Sequence, residues 1–194
     1  MAESLFKNAV HISRQVISQV VKPGDIVVDA TCGRGNDTLL LARLAGEKGR
    51  VYAFDIQDAA IETTRFLLQK NEVAGRVELF KTSHAFIDTY IKDKVKAVMF
   101  NLGYLPGGNH DIKTEAGSTV EALRKSLELL DVGGLISIVF YLGHPGGQDE
   151  LEAVRSYLSG LCQQDFEVME NRYLNQINNP PQVILVYKLK ENLA

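Results

Sequence analysis

The chain has 194 residues, 45% of them hydrophobic and 23% charged, with a formal net charge of −3. That length can bury a sizeable core without disulfide or metal staples, and that charge excludes a molecule-wide basic field, though not a local basic face. Cys32 and Cys162 have neither zinc nor redox spacing, so a reducing cytosol, and hence a cytoplasmic location, is expected. No run approaches the roughly 20 apolar residues of a membrane span, and Lys7, His11 and Arg14 interrupt any signal-peptide core.

Leu5, Ala9, Ile12, Val16 and Val20 recur at helical spacing over 4–21, and Pro23-Gly24 ends that helix. The apolar run IVVDA at 26–30 reads as a buried parallel strand. Alternation follows: a helix near 36–46, a strand at 50–55, a helix near 58–73, a strand at 76–80, a short helix near 84–92 and a strand at 95–100. Beyond a Gly/Pro-rich loop come a helix over 116–130, a strand at 134–141 and a helix over 148–162. Two last strands, near 165–173 and 182–190, are separated by NQINNPPQ. No repeat or linker divides the chain, so one domain over 1–194 is expected. The pattern predicts an α/β fold with a seven-stranded, mostly parallel sheet and one antiparallel strand, the layout of the Rossmann-like class I methyltransferases. By analogy with them its order is 3-2-1-4-5-7-6. Ligands in such sheets bind beyond the carboxyl ends of the strands.

At the end of the first strand stands Asp29, followed by Ala30-Thr31-Cys32-Gly33-Arg34-Gly35-Asn36-Asp37-Thr38. Gly33 and Gly35 let the backbone turn sharply and approach a ligand. A carboxylate here repels a pyrophosphate but suits the ammonium and sulfonium of S-adenosylmethionine (SAM), and Thr38 replaces the third glycine of a dinucleotide fingerprint. Electrostatics therefore favours SAM over NAD. After the second strand, Asp55 can accept from both ribose hydroxyls or cap the next helix, while Ile56 can lie against adenine beside Gln57. After the third, Lys81-Thr82-Ser83-His84 reaches the adenine edge, His84 either touching cofactor or capping a helix.

The fourth strand runs into Phe100-Asn101-Leu102-Gly103-Tyr104-Leu105-Pro106-Gly107-Gly108. Amino-group methyltransferases often carry Asn/Asp-Pro-Pro-Tyr/Phe here. The polar side chain accepts the amine's protons and the ring packs against target or sulfonium. Asn101 and Tyr104 keep that spacing, with Leu102 and Gly103 in place of the prolines. Asp29, Asp111 and His144 are possible proton relays. His144, in the turn after the fifth strand, and Asn178 and Asn179 are placed at the substrate mouth, the asparagines equally suiting turn geometry. His11 and His110 are expected to have no special role. Lys81, Lys92, Lys94, Lys96, Lys113, Arg124 and Lys125 form either a phosphate-contacting surface or, more in keeping with their neighbours, a mixed-charge face. No metal-ligand cluster is present in the sequence, so no metal requirement is expected.

DATCGRGNDT, AFDIQ, KTSH, AVMFNLGYLPGG, the His144-Pro145-Gly146 turn and NQINNPP, in this order and spacing, resemble the YtqB-like (MnmM) family of small bacterial SAM-dependent RNA methyltransferases. The resemblance spans about residues 5–190. It implies N-methylation of the aminomethyl group of wobble 5-aminomethyl-2-thiouridine, with the anticodon region of tRNA as partner. It assigns cofactor contacts to Gly33, Asn36, Asp37, Asp55, Gln57, Ser83 and His84, and sets Asn101 and Tyr104 beside the target amine. Arg34 departs from the smaller polar residue usual there, which puts a side-chain cofactor contact at that position in doubt. A SAM-dependent methyltransferase of rRNA, or of a small-molecule amine, would share every cofactor residue.

Overall fold

A computed structural model describes residues 7–105, 113–143 and 145–191. Its elements, in chain order, are α1 (Ala9–Val20), β1 (Ile26–Asp29), α2 (Asn36–Ala45), β2 (Arg50–Asp55), α3 (Asp58–Lys70), β3 (Val77–Lys81), α4 (Ile87–Tyr90), β4 (Val95–Leu102), α5 (Ala116–Leu129), β5 (Leu130–Phe140), α6 (Gly147–Ser159), β6 (Phe166–Asn171) and β7 (Gln182–Lys188). One seven-stranded sheet runs β3-β2-β1-β4-β5-β7-β6. All pairings are parallel except those of β7, which lies antiparallel to both β5 and β6. The expected order and the single antiparallel strand are both present.

Strand residues alternate between two cores because side chains point to opposite faces with period two. Val27, Val51, Ala97, Met99, Leu135 and Val139 pack with Ile12 and Ile17 of α1, Leu41 and Ala42 of α2 and Leu68 of α3. On the other face Val28, Phe54, Val98, Phe100, Ile136 and Ile138 pack with Ile87 of α4, Leu123 of α5 and Val154 of α6. Burial on both faces explains why β1, β4 and β5 read as continuous apolar runs.

Some boundaries differ from the sequence reading. β5 begins at Leu130, paired with Val95, and the register then slips so that Ala97 pairs with Leu135. The slip accommodates Asp131–Gly134, where Gly133 takes φ 68°, a bulge that reads as a loop in the sequence. α3 ends at Lys70 rather than 73 because Glu72 adopts a left-handed φ of 58°. Among the described residues no helix is long and apolar enough to cross a membrane.

Candidate active site

A cavity of about 650 Å³ opens at the carboxyl ends of the strands, a size that suits a small-molecule ligand. Its wall is laid down by the loops after β1 to β5, with α1 and the β6–β7 loop closing the rim. Most of the expected residues meet there: Gly33, Asn36, Asp37, Asp55, Ile56, Gln57, Ser83, His84, Asn101, Tyr104 and Asn179.

The cofactor end is built around Asp55. Its carboxylate accepts from the backbone N–H of Gly33 at 3.0 Å and of Gln57 at 3.0 Å, tying the β1 loop to the end of β2. Desolvation raises its pKa, opposed by the amides that hold it. Gly35, with φ 80°, does not line the cavity. A Cβ there would lie 2.9 Å from Thr64 Oγ1 and 3.0 Å from Thr64 Cα, so Gly35 lets α3 approach the loop closely. Ile56 is half exposed on the wall.

Asp29 is corrected from cofactor contact to support. It is fully buried, outside the cavity wall, accepting from Thr38 Oγ1 at 2.6 Å and the Thr31 N–H at 3.2 Å. Burial and then the neighbouring Asp37 charge push its pKa up to about 7. Burial also pushes the Cys32 thiol up, keeping it protonated. His84 turns its Nδ1 to the Ala30 carbonyl at 3.2 Å and sits edge-on to Phe100. The carbonyl can only accept, so Nδ1 carries the proton and Nε2 is a bare acceptor, buried without a partner. Burial lowers the His84 pKa to about 4, so the ring is neutral. Ser83, not His84, caps the short helical turn, its hydroxyl accepting from the Ala85 N–H.

At the other end, Asn101 stands near the end of β4. Its backbone N–H donates to Thr31 Oγ1 at 2.7 Å, and its side-chain amide donates to Asp37 at 2.7 Å. Asp37 also accepts from Arg14 of α1 at 2.6 Å. Tyr104 forms an isolated antiparallel bridge with Lys113. Gly103 and Thr114 clasp each other through two 2.9 Å hydrogen bonds, and Thr114 donates to buried Glu150 of α6 at 2.7 Å. Glu150 accepts from Thr119 as well, at 2.6 Å. Lys113 reaches the Pro145 carbonyl at 2.6 Å, joining the loops after β4 and β5. Tyr141 lines the cavity, its pKa raised by burial and then by Asp37.

Other expectations fall differently. Asn178 does not line the cavity, and both Asn178 and Asn179 take left-handed φ, the turn role. His144, Asp111 and His110 lie outside the described residues. Lys81 pairs with Asp58, Lys94 with Glu191, Arg124 with Glu121 and Glu128, and Lys125 with Asp88 and Glu121. Lys92 and Lys96 donate to backbone carbonyls. Each of these residues is thus engaged by a carboxylate or a backbone carbonyl, in keeping with the mixed-charge reading. Sequence reasoning missed Arg14, Thr31 and Thr114 as cavity residues. Val10 and Arg14, four apart on α1, share one face and both reach the wall, which is the only local signal for Arg14.

Comparison with known proteins agrees with this geometry. Residues 51–187 match the family model described as "Putative rRNA methylase". A protein of Arabidopsis thaliana named tRNA (mnm(5)s(2)U34)-methyltransferase, chloroplastic, is 41% identical, over 95% of this chain and 70% of its own length. A crystal structure from Clostridium thermocellum carrying the same rRNA-methylase description superposes with TM-score 0.93 at 46% identity, covering 97% of this chain and all of that one. SMU.1697c of Streptococcus mutans, solved in complex with SAH, superposes with TM-score 0.86 at 37% identity, with the same coverages. The Rossmann-like fold is that of the SAM-dependent methyltransferases, and the chain belongs to the rRNA-methylase family of these enzymes.

Proposed function

We propose that the protein is a SAM-dependent N-methyltransferase of tRNA that converts the aminomethyl group of wobble 5-aminomethyl-2-thiouridine to methylaminomethyl. The observation that carries this reading is Asn101. Its amide N–H faces Asp37, which leaves its carbonyl oxygen as a hydrogen-bond acceptor in the same cavity wall as Tyr104. An acceptor beside an aromatic ring is what a primary amine needs. The name of the Arabidopsis relative supports tRNA and position 34 as the target, and the SAH complex of the Streptococcus mutans relative supports SAM.

The cavity fits SAM. Asp55 offers a carboxylate to the ribose hydroxyls, exposed Ile56 an apolar surface to adenine, and neutral His84 no charge to repel a sulfonium. Gln57 and Ser83 border the adenine end and Asn36 the loop after β1. When bound, SAM supplies a methyl carbon made electrophilic by its sulfonium, and the carbon–sulfur bond breaks as the nitrogen–carbon bond forms, its electron pair staying on sulfur. Asn101 Oδ1 accepts an N–H of the neutral amine and aims its lone pair. Tyr104 packs beside it. The secondary ammonium formed loses its proton to water at the open mouth.

Two substitutions separate binding from chemistry. Asp55→Ala weakens SAM binding about 10- to 100-fold, the worth of charge-assisted hydrogen bonds to the ribose. Asn101→Ala leaves SAM affinity within twofold and lowers kcat about 100-fold. Calorimetric titration with SAM and turnover on tRNA read both. Unchanged SAM affinity in the Asp55 variant, or full turnover in the Asn101 variant, would contradict the assignment. The family description favours a second reading, methylation of rRNA, in which the same residues act on a different amine.

A further inference from the structure

We infer that Asp37 is a positioning residue: anchored by Arg14, it fixes which way round the Asn101 carboxamide sits, so that the oxygen and not the nitrogen meets the substrate amine. The inference rests on the methyltransferase reading of the cavity. Asn101 has two nearly isosteric ends with opposite chemistry. The oxygen accepts a proton-bearing amine, whereas the NH₂ would repel its N–H groups and leave the lone pair misaimed. Nothing in the backbone of Asn101 chooses between them, because its N–H is engaged with Thr31 Oγ1 whichever way the side chain turns.

The choice is made by Asp37. Asp37 is paired with the Arg14 guanidinium and serves as an acceptor, so it is Asn101 Nδ2 that faces Asp37 Oδ2 at 2.7 Å. The other oxygen, Oδ1, is taken by Arg14 Nε at 2.6 Å. Asp37 is 7% exposed, so little water competes for it, and Arg14 supplies the countercharge that burial demands. Asp37 also sits in the first turn of α2, where the helix dipole favours a negative group. Three elements thus converge on one amide: α1 through Arg14, α2 through Asp37 and the β1 loop through Thr31. The neighbouring positions already have fixed partners, since Asp55 holds the Gly33 and Gln57 amides and Asp29 holds Thr31 and Thr38. Asp37 is a carboxylate of the cavity wall that hydrogen-bonds the amine-facing side chain directly.

Asp37→Asn tests this, because a carboxamide at 37 can donate as well as accept and no longer dictates the orientation of Asn101. On tRNA that the wild-type protein methylates, Asp37→Asn lowers kcat about 10- to 100-fold. On this reading Asp37, its two oxygens taken by Arg14 and Asn101, positions Asn101 instead of making the cofactor contact that the family resemblance implies, and SAM affinity stays within twofold. Combining Asp37→Asn with Asn101→Ala costs no more than the worse single change, since both act through one group. Losses that multiply in the double variant, or a loss carried by SAM affinity, would overturn the inference. The Asn101 side-chain amide protons, followed by NMR without any substrate, give a readout independent of turnover. They are protected from exchange in the wild-type protein and exchange freely in Asp37→Ala. Protection that survives Asp37→Ala would sink the positioning role. If the wild-type protein fails to methylate tRNA, the substrate reading falls, and the NMR result decides this one by itself.

Discussion

Asp29 and His84 lie beside the same loop and respond to pH in opposite directions. Asp29 has its folded pKa raised from 3.8 to about 7, so the unfolded chain loses this proton first and the stability it contributes drains away as pH rises from about 4 to about 7. His84 has its folded pKa lowered from 6.5 to about 4, so its contribution is present above 6.5 and is lost as pH falls toward 4. Between about 4 and 6.5 the two largely cancel. Asp29→Asn removes one side of the balance while keeping an acceptor for the Thr31 N–H, and the Thr38 hydroxyl can rotate to suit. Its unfolding free energy, measured with urea across that range, is expected to rise with pH more steeply than wild type, by up to about 1.4 kcal/mol per unit. Identical slopes would show that Asp29 is ionised in the folded protein. The sequence made a carboxylate at 29 visible but not its burial. That depends on α2 laying Thr38 over it, a tertiary contact with no local signature.

The two described ends of the segment after β4, at Gly103 and Thr114, are tied to a second element that the sequence did not connect with them. Glu150, 1% exposed in the first turn of α6, takes hydroxyl hydrogen bonds from Thr114, at the far end of that segment, and from Thr119 of α5. Thr114 in turn clasps Gly103, one residue before Tyr104. Glu150→Ala strands two threonine hydroxyls, which is expected to destabilise the fold by about 2–4 kcal/mol in denaturant titration. It should also raise KM for the RNA while leaving SAM affinity unchanged, because Asp55 and its amides lie elsewhere in the wall. A parallel loss of SAM affinity would show that the two ends of the cavity are not independent. Asn101 and Tyr104 were legible as a spaced pair because they follow a strongly apolar strand. Glu150 and Arg14 were not, because each belongs to a helix that reaches the site only through the fold. The β5 bulge escaped for a related reason: Asp131–Gly134 has turn composition, and only pairing of Leu130 with Val95 makes it part of a strand.

At the scale of the molecule, strand–helix alternation and two helix-less final strands were enough to specify the sheet, since right-handed crossovers leave few arrangements. The site followed, because such a sheet brings the loops after β1 to β5 to one edge. At the rim, the β6–β7 loop presents Leu174 and Ile177 almost fully exposed, with Asn179 and Pro181 in the cavity wall. The most direct test of the account is to incubate the protein with methyl-labelled SAM and tRNA from cells lacking the wobble methylation, then digest and identify the labelled nucleoside. Label in 5-methylaminomethyl-2-thiouridine is the predicted result. Label absent from tRNA but present in rRNA would contradict the wobble assignment and leave the fold and the SAM site standing.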